Sequence, residues 1–412
     1  MPGQFSNALQ LMAKNGHDRA LVGAAPAAPW RAAHRREVNY SVDNVLVEIA
    51  GSNELGRNST TTIPREADLL TGMTVCISLP GLAGDAFYVD RAGFKLVRKV
   101  EIMLGNQCVQ SFDGEYIEMW QAFTQTAGKG LKEMVDNFDS DAERLANAKQ
   151  AHRLYVPIPA FFAEEGKALP IGALVYQDLT VRLQMNGVET VLSDSNAALR
   201  QPVRAIGNDR KTAAGGSGGV RNTDCAVHFE CQYVYLEKGM LAPLGEDLAI
   251  TQVQAYVQDF DASSRPQQSI ELDFNHPCRE LLWRVDVDLA GVGGDLLPDP
   301  VASAMLSVNS HKRWSQNNGD PVEGRYFRTV QPYQYHSSVP RDSDDGFYYC
   351  YCFDETPESA TVGASLNFSR IDHTVLDLAL DSTYARGTLM VYARTWNVLR
   401  IADGTGALLF AS

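Results

Sequence analysis

The sequence predicts an all-β protein made of two β-sandwiches, of sandwich or jelly-roll type, in tandem. Three observations carry this. Short runs with a hydrophobic period of two recur along the chain, punctuated by Gly, Pro, Asn and Asp, with few helical periods between them. At 412 residues the chain exceeds one ordinary domain, and two domains of roughly 150–200 residues is the natural division. The order of patterns in the first half is echoed in the second.

The period is clearest near 174–185. Leu179, Val181, Leu183 and Met185 share one face, and Thr180, Arg182 and Gln184 the other, as in a strand with one side on a core. Residues 154–158 read as a strand stopped by Pro157 and Pro159. Upstream, strands are expected over 45–49, 60–63, 73–79, 94–104 and 107–112, the last two joined into a hairpin by Gly105-Asn106. Residues 113–123 break the rhythm: Ile117, Trp120 and Phe123 lie three apart behind an acidic start, which predicts a short helix. Residues 131–153 read as a polar, irregular insertion. Residues 208–222 read as a flexible surface loop, because no GK[ST] follows its glycines. A strand over 226–237 then places Val227, Phe229, Cys231, Tyr233 and Tyr235 on one face.

In the second half, strands are expected over 250–260, 270–274, 281–289, 347–353, 374–380 and 389–401. In the third of these, Leu281, Trp283, Val285, Val287 and Leu289 alternate against Leu282, Arg284, Asp286 and Asp288. Residues 290–345 read as a polar excursion. The echo pairs LYVPIP with YYCYCF, and LPIGALVYQDLTVRL with VGASLNFSRIDHTVLDL, and each half closes on a long strand. The expected organisation is an N-terminal arm (1–37) with apolar anchors such as Leu21 and Trp30, a first sandwich (38–238), a linker (239–249) and a second sandwich (250–412).

Composition narrows the function. A net charge of −14 argues against nucleic acid as the main partner, since phosphate binding needs concentrated Lys and Arg. Seven scattered cysteines read as free thiols made in a reducing compartment. No secretory signal or membrane span is expected. The eight histidines form no HExxH. Asn275-His276-Pro277-Cys278 reads as a turn ending a strand, Cys350 and Cys352 as buried packing on one face of a strand, and Asp342–Asp345 as a solvated loop lacking the Gly and Glu of a calcium motif. Gly404-x-Gly406 opens no helix. The expectation is therefore no catalytic residue, no cofactor-binding residue, no metal ligand and no cofactor.

Several segments, in order, resemble the double jelly-roll major capsid proteins of nucleocytoplasmic large DNA viruses, of the iridovirus and phycodnavirus kind. The segment YVPIPAFFAEEGKALPIGALVYQDLTVRL looks like that family's strand–loop–strand. The run IPREADLL from Ile63, MLGNQ from Met103 through GEYIEMW from Gly114, YVYL from Tyr233, DFNHP from Asp273 with ELLW from Glu280, NFSRID from Asn367 and NVLRI from Asn397 are similar to further pieces of it. The PIPAFF segment departs from the Trp-Phe-Cys type carried by many members, which leaves major against minor paralogue open at this point.

The resemblance implies two tandem eight-stranded antiparallel jelly-roll β-sandwiches, with short helices in the loops and an extended N-terminal arm. It implies a non-enzymatic shell subunit that self-assembles as pseudo-hexagonal homotrimeric capsomers in the icosahedral capsid of a large double-stranded DNA virus. Implied partners are neighbouring capsomers, minor capsid proteins, an inner membrane beneath the shell and a host receptor through outer loops, with no direct nucleic acid. The implied location is the virion, after assembly in the host cytoplasm. The competing reading is a carbohydrate-binding or carbohydrate-active tandem sandwich, with Trp30, Trp120, Trp283, Trp314 and Trp396 as the stacking candidates.

Overall fold

The computed structural model describes residues 39–83, 86–125, 131–138, 140–194, 220–237, 247–263, 265–287, 299–313, 320–340, 347–361, 363–384 and 386–410. The arm, nearly all of the 208–222 loop, most of the expected linker, the acidic run 342–345, Trp30 and Trp314 lie outside these residues. So do parts of the 290–345 excursion.

Eight principal strands build the first unit: β1 (Tyr40–Glu48), β2 (Asn58–Thr62), β3 (Leu69–Leu79), β4 (Val97–Leu104), β5 (Gln107–Asp113), β6 (His152–Pro157), β7 (Leu179–Met185) and β8 (Ala226–Leu236). They form two antiparallel sheets ordered β1-β8-β3-β6 and β2-β7-β4-β5. The second unit uses β9 (Asp247–Asp261), β10 (Gln267–Glu271), β11 (Pro277–Val287), β12 (Val301–Val308), β13 (His311–Lys312), β14 (Tyr348–Cys352), β15 (Thr374–Leu380) and β16 (Arg386–Ala402). Its sheets run β9-β16-β11-β14 and β10-β15-β12-β13. Adding eight to each strand of the first unit reproduces the second. In each unit the chain crosses from sheet to sheet and returns its last strand beside its first, which is the jelly-roll path.

The period of two does the local work. In β7, Leu179, Val181, Leu183 and Met185 are buried and Arg182 is exposed. Gly105 turns the β4–β5 hairpin at φ 57°, a left-handed conformation that glycine takes without strain. The expected helix is α1 (Gly114–Thr124), capped by Asp113, whose Oδ1 accepts the Tyr116 amide at 2.7 Å. A Cβ on Gly114 would collide with the carbonyls of Phe94 and Val97, so only glycine lets this helix start against the sheet. The echo holds in space: β6 and β14, β7 and β15, and β8 and β16 occupy equivalent sheet positions.

Several expectations need correction. Residues 94–96 end a short helix (Ala92–Leu96) and do not begin β4. The 131–153 insertion holds a short helix, Lys132–Val135, and α2 (Asp141–Ala148). The latter is capped by Ser140 and filled with Ala, Glu, Arg and Leu, good helix formers. Strand character near Leu174 begins only at Leu179, because Ile171–Ala173 is a 3-10 turn. The 290–345 excursion contains β12 and β13, a further short strand at Val322–Glu323, a π-helical turn (Tyr326–Val330) and helix α3 (Gln331–Tyr335). The register of β12 against β15 shifts between Val301 and Ser303, and that irregularity breaks the alternation of VASAMLSV. In β11, both faces are buried: Leu282 as well as Leu281 and Trp283.

Candidate functional site

The burial of both faces of β11 locates the seam between the units. One face of the β9-β16-β11-β14 sheet packs inward, where Leu281, Trp283, Val285, Tyr349, Leu389, Val391 and Ala393 join the second unit's own core. On the opposite face, Leu282, Tyr348, Cys350, Cys352, Met390 and Tyr392 merge with the core of the first unit. The first unit meets that face with α1 and the end of β5.

Charged groups are carried into the seam as closed sets. Glu118 of α1 accepts from Arg91 Nη1 at 2.9 Å and from Arg284 Nη1 of β11 at 2.6 Å. Burial alone would raise the Glu118 carboxyl pKa, but Arg284, Arg91 and Lys95 together hold it well below the usual carboxylate range. The Arg284 guanidinium also lies over the Tyr348 ring, 5.3 Å from its centre. The Tyr392 hydroxyl sits 3.0 Å from both oxygens of Asp113, the α1 cap, so one carboxylate ends the helix and ties it to β16. Burial first, and Asp113 second, push that phenol well above its ordinary pKa.

A second set centres on Glu280 of β11. Arg394 of β16 donates to Glu280 Oε1 and stacks 3.6 Å from the centre of the Trp120 ring of α1. His336, just after α3, places Nε2 3.1 Å from Glu280 Oε2 and Nδ1 3.1 Å from Glu358 Oε1. Its ring stacks on Phe123, 4.9 Å away. Burial opposes charge on Glu280, but Arg394 and His336 outweigh it and lower its pKa to about 2. Burial disfavours His336 protonation, yet Glu280 and the hydrogen bonds around it raise its pKa well above the ordinary value.

Polar side chains stitch the rest of the seam. Gln252 Nε2 donates to the Val109 carbonyl at 2.9 Å, and Gln110 donates to the Thr251 carbonyl. The hairpin after β16 docks on the loop before β7: the Tyr176 amide donates to Gly404 O at 2.9 Å, and Gln177 Oε1 accepts from the Gly406 amide at 2.7 Å. A cleft of about 290 Å³ opens at the seam, lined by Trp120, Glu164, Glu358 and Arg394 among others.

The outward faces of the two units differ. The exposed side of β1 presents Val42 (47% exposed) and Leu46 (57%), and α3 presents Tyr333 (80%). Two of the stacking candidates of the carbohydrate reading are not available as a platform: Trp283 is fully buried against Tyr349, and Trp120 is covered by Arg394. His276 turns the chain at φ 69° beside buried Cys278, and no ligand set forms around them among the described residues. Cys350 and Cys352 do share a strand face, but His336 joins them there, a grouping that spacing along the chain did not announce. All seven cysteines are free thiols. Among the described residues, no helix is long and apolar enough to cross a membrane.

Fold and seam together define a tandem jelly-roll protein whose two units share a packed and hydrogen-bonded junction. Two family models match consecutive parts of the chain: major capsid protein N-terminus over residues 28–237, and large eukaryotic DNA virus major capsid protein over residues 237–407. The major capsid protein of Pyramimonas orientalis virus is 28% identical, with 98% of this chain and 99% of the relative covered. That of Paramecium bursaria Chlorella virus 1 is 25% identical, with the same coverage. The solved PBCV-1 virus capsid superposes with a TM-score of 0.75 at 22% identity, over 93% of this chain and 100% of that one. The Faustovirus major capsid protein gives 0.64 at 9% identity, over 92% and 93%. The chain belongs to the family of large eukaryotic DNA virus major capsid proteins. It is a structural component of the virion capsid, assembled with neighbouring capsomers, and not an enzyme.

Proposed function

We propose that three copies close into a ring of six sandwiches by repeating, between chains, the seam each chain holds within itself. One observation carries the reading. Inside the chain, the helix after β5 of the first unit packs on the outer face of the second unit's β9-β16-β11-β14 sheet. The equivalents left over are α3, which lies between the second unit's β13 and β14, and the outer face of the first unit's β1-β8-β3-β6 sheet. These are the surfaces that expose Tyr333 on one side and Val42 and Leu46 on the other. Head-to-tail repetition of such a contact gives a closed ring when the rotation closes. A block of six similar units tiles a near-flat lattice as a pseudo-hexagon.

The junction between the units is assigned to the expected linker 239–249, a reading supported by β8 ending at Leu236 and β9 beginning at Asp247. The arm of residues 1–37 locks neighbouring capsomers or contacts minor capsid proteins and an inner membrane beneath the shell. Outer loops meet a host receptor, and assembly takes place in the host cytoplasm. Light scattering on the purified full chain tests the ring: the expected mass is three times the 45.2 kDa chain. A persistent monomer at high concentration overturns it.

A further inference from the structure

The seam gathers donor atoms from three elements. Cys350 and Cys352 point to one side of β14, and the register sets Cys352 opposite Glu280 of β11. His336, the C-cap of α3, brings a fully buried imidazole against them. One donor atom from each of His336, Cys350 and Cys352 lies within 4.8 Å of the others. We propose that this cluster is a structural zinc site, with His336, Cys350 and Cys352 as the three gathered ligands and Glu280 Oε2, which touches His336 and Cys352, closing on the ion as the fourth.

The distances among Cys352, His336 and Glu280 fit one tetrahedral ion. Bonds of about 2.3 Å to sulfur and about 2.0–2.2 Å to nitrogen or oxygen put S and N, or S and O, about 3.6 Å apart, and N and O about 3.4 Å apart. Here Cys352 Sγ lies 3.7 Å from His336 Nε2 and 3.7 Å from Glu280 Oε2, while Nε2 and Oε2 are 3.1 Å apart. These three edges match to within about 0.3 Å, and Cys350 Sγ lies within 4.8 Å of the His336 and Cys352 donors, so that ligation draws Cys350 and Glu280 together around the ion.

The surroundings are those of a metal site too. Glu358 Oε1 accepts a hydrogen bond from His336 Nδ1 at 3.1 Å, which fixes the ring and turns Nε2 toward the sulfurs. Arg394 holds Glu280 Oε1, leaves Oε2 to the cluster and offsets negative charge that two thiolates would add. Binding releases the two thiol protons and the Nε2 proton to solvent, and the freed lone pairs take the ion. The cleft lined by Trp120, Glu358 and Arg394 gives a path inward. The ion would pin α3 to β11 and β14 directly beneath Phe123 and Trp120 of α1, and so cross-link the seam. With free thiols at both positions, zinc suits the pair better than a disulfide.

The test uses the full chain, stripped with a chelator and reloaded with one equivalent of zinc or cobalt(II). The expected results are close to one metal per chain and, with cobalt, a thiolate-to-metal charge-transfer absorption. The double substitution Cys350→Ser, Cys352→Ser should abolish both. So that a folding defect in that variant is not mistaken for loss of the site, Glu358→Gln provides a second readout: it keeps every ligand but should weaken metal binding about 10–100-fold. Less than a tenth of an equivalent on the wild-type chain, or cobalt spectra without thiolate bands, overturns the site. So does full metal retention in the cysteine variant.

Discussion

The two sandwiches share one strand order, yet the same sheet position faces different worlds in each. In β8 of the first unit, Val227, Phe229, Cys231 and Tyr233 are buried while the alternate side carries His228, Glu230 and exposed Gln232. In β16, its equivalent, Leu389, Val391 and Ala393 fill the local core, while Met390, Tyr392 and Arg394 on the alternate side are buried as well. Topology is therefore shared, and face chemistry is set by what packs outside the sheet. Within one chain, the second unit's outer face already has its neighbour. The first unit's outer face keeps a half-polar, half-apolar character that suits a contact made only on assembly.

The largest way to break this contrast is to unpair the seam. Glu118→Ala removes the buried carboxylate shared by Arg91 and Arg284, leaving them Asp90 and Asp286 as ion-pair partners, and should cost about 3 kcal/mol in denaturant unfolding. Leu282→Ala should cost about 2–5 kcal/mol, as much as Leu281→Ala, because both sides of β11 are core; a Leu282 cost near zero would show the seam to be loose. Gly404→Ala should cost about 1–2 kcal/mol, since φ is +78° and the new Cβ would meet Tyr176 Cδ2 at 2.8 Å. Gln232→Ala, on the first unit's outer face, should stay within about 0.5 kcal/mol in the unassembled chain.

Titration sharpens the same contrast. Glu280 and Glu118 have depressed pKa values in the folded chain, so their stabilisation is present above the ordinary carboxyl pKa. It is lost as pH falls, for Glu280 between its ordinary value of 4.5 and about 2, and for Glu118 lower still. His336 is raised, so in the metal-free chain its contribution is complete below the ordinary imidazole pKa and is lost as pH rises through the elevated folded value. Unfolding midpoints measured across pH should thus fall on both sides for the wild-type chain. Glu280→Gln should flatten both limbs.

Much of the fold was legible because alternation survives wherever one face is polar. The β15 strand, Thr374–Leu380, sits where TVLDLAL places it, and the Gly105-Asn106 hairpin and Asp113-capped helix follow from local chemistry. In PCRELLWRVDV and YYCYC the sequence marks the strand but not that its second face is buried, and in β12 a register shift interrupts the alternation itself. The seam was not legible for the first reason. The cluster at Cys350 and Cys352 was half legible: the shared strand face follows from their spacing, but Glu280 and His336 arrive through strand register and the end of α3.

The central claim is that the contact between chains repeats the seam within the chain. Light scattering on Val42→Asp combined with Tyr333→Glu tests it most directly, since both side chains are exposed in the single chain. The account predicts a monomer whose unfolding midpoint matches that of unassembled wild type. A variant that still sediments and scatters as three chains would contradict it.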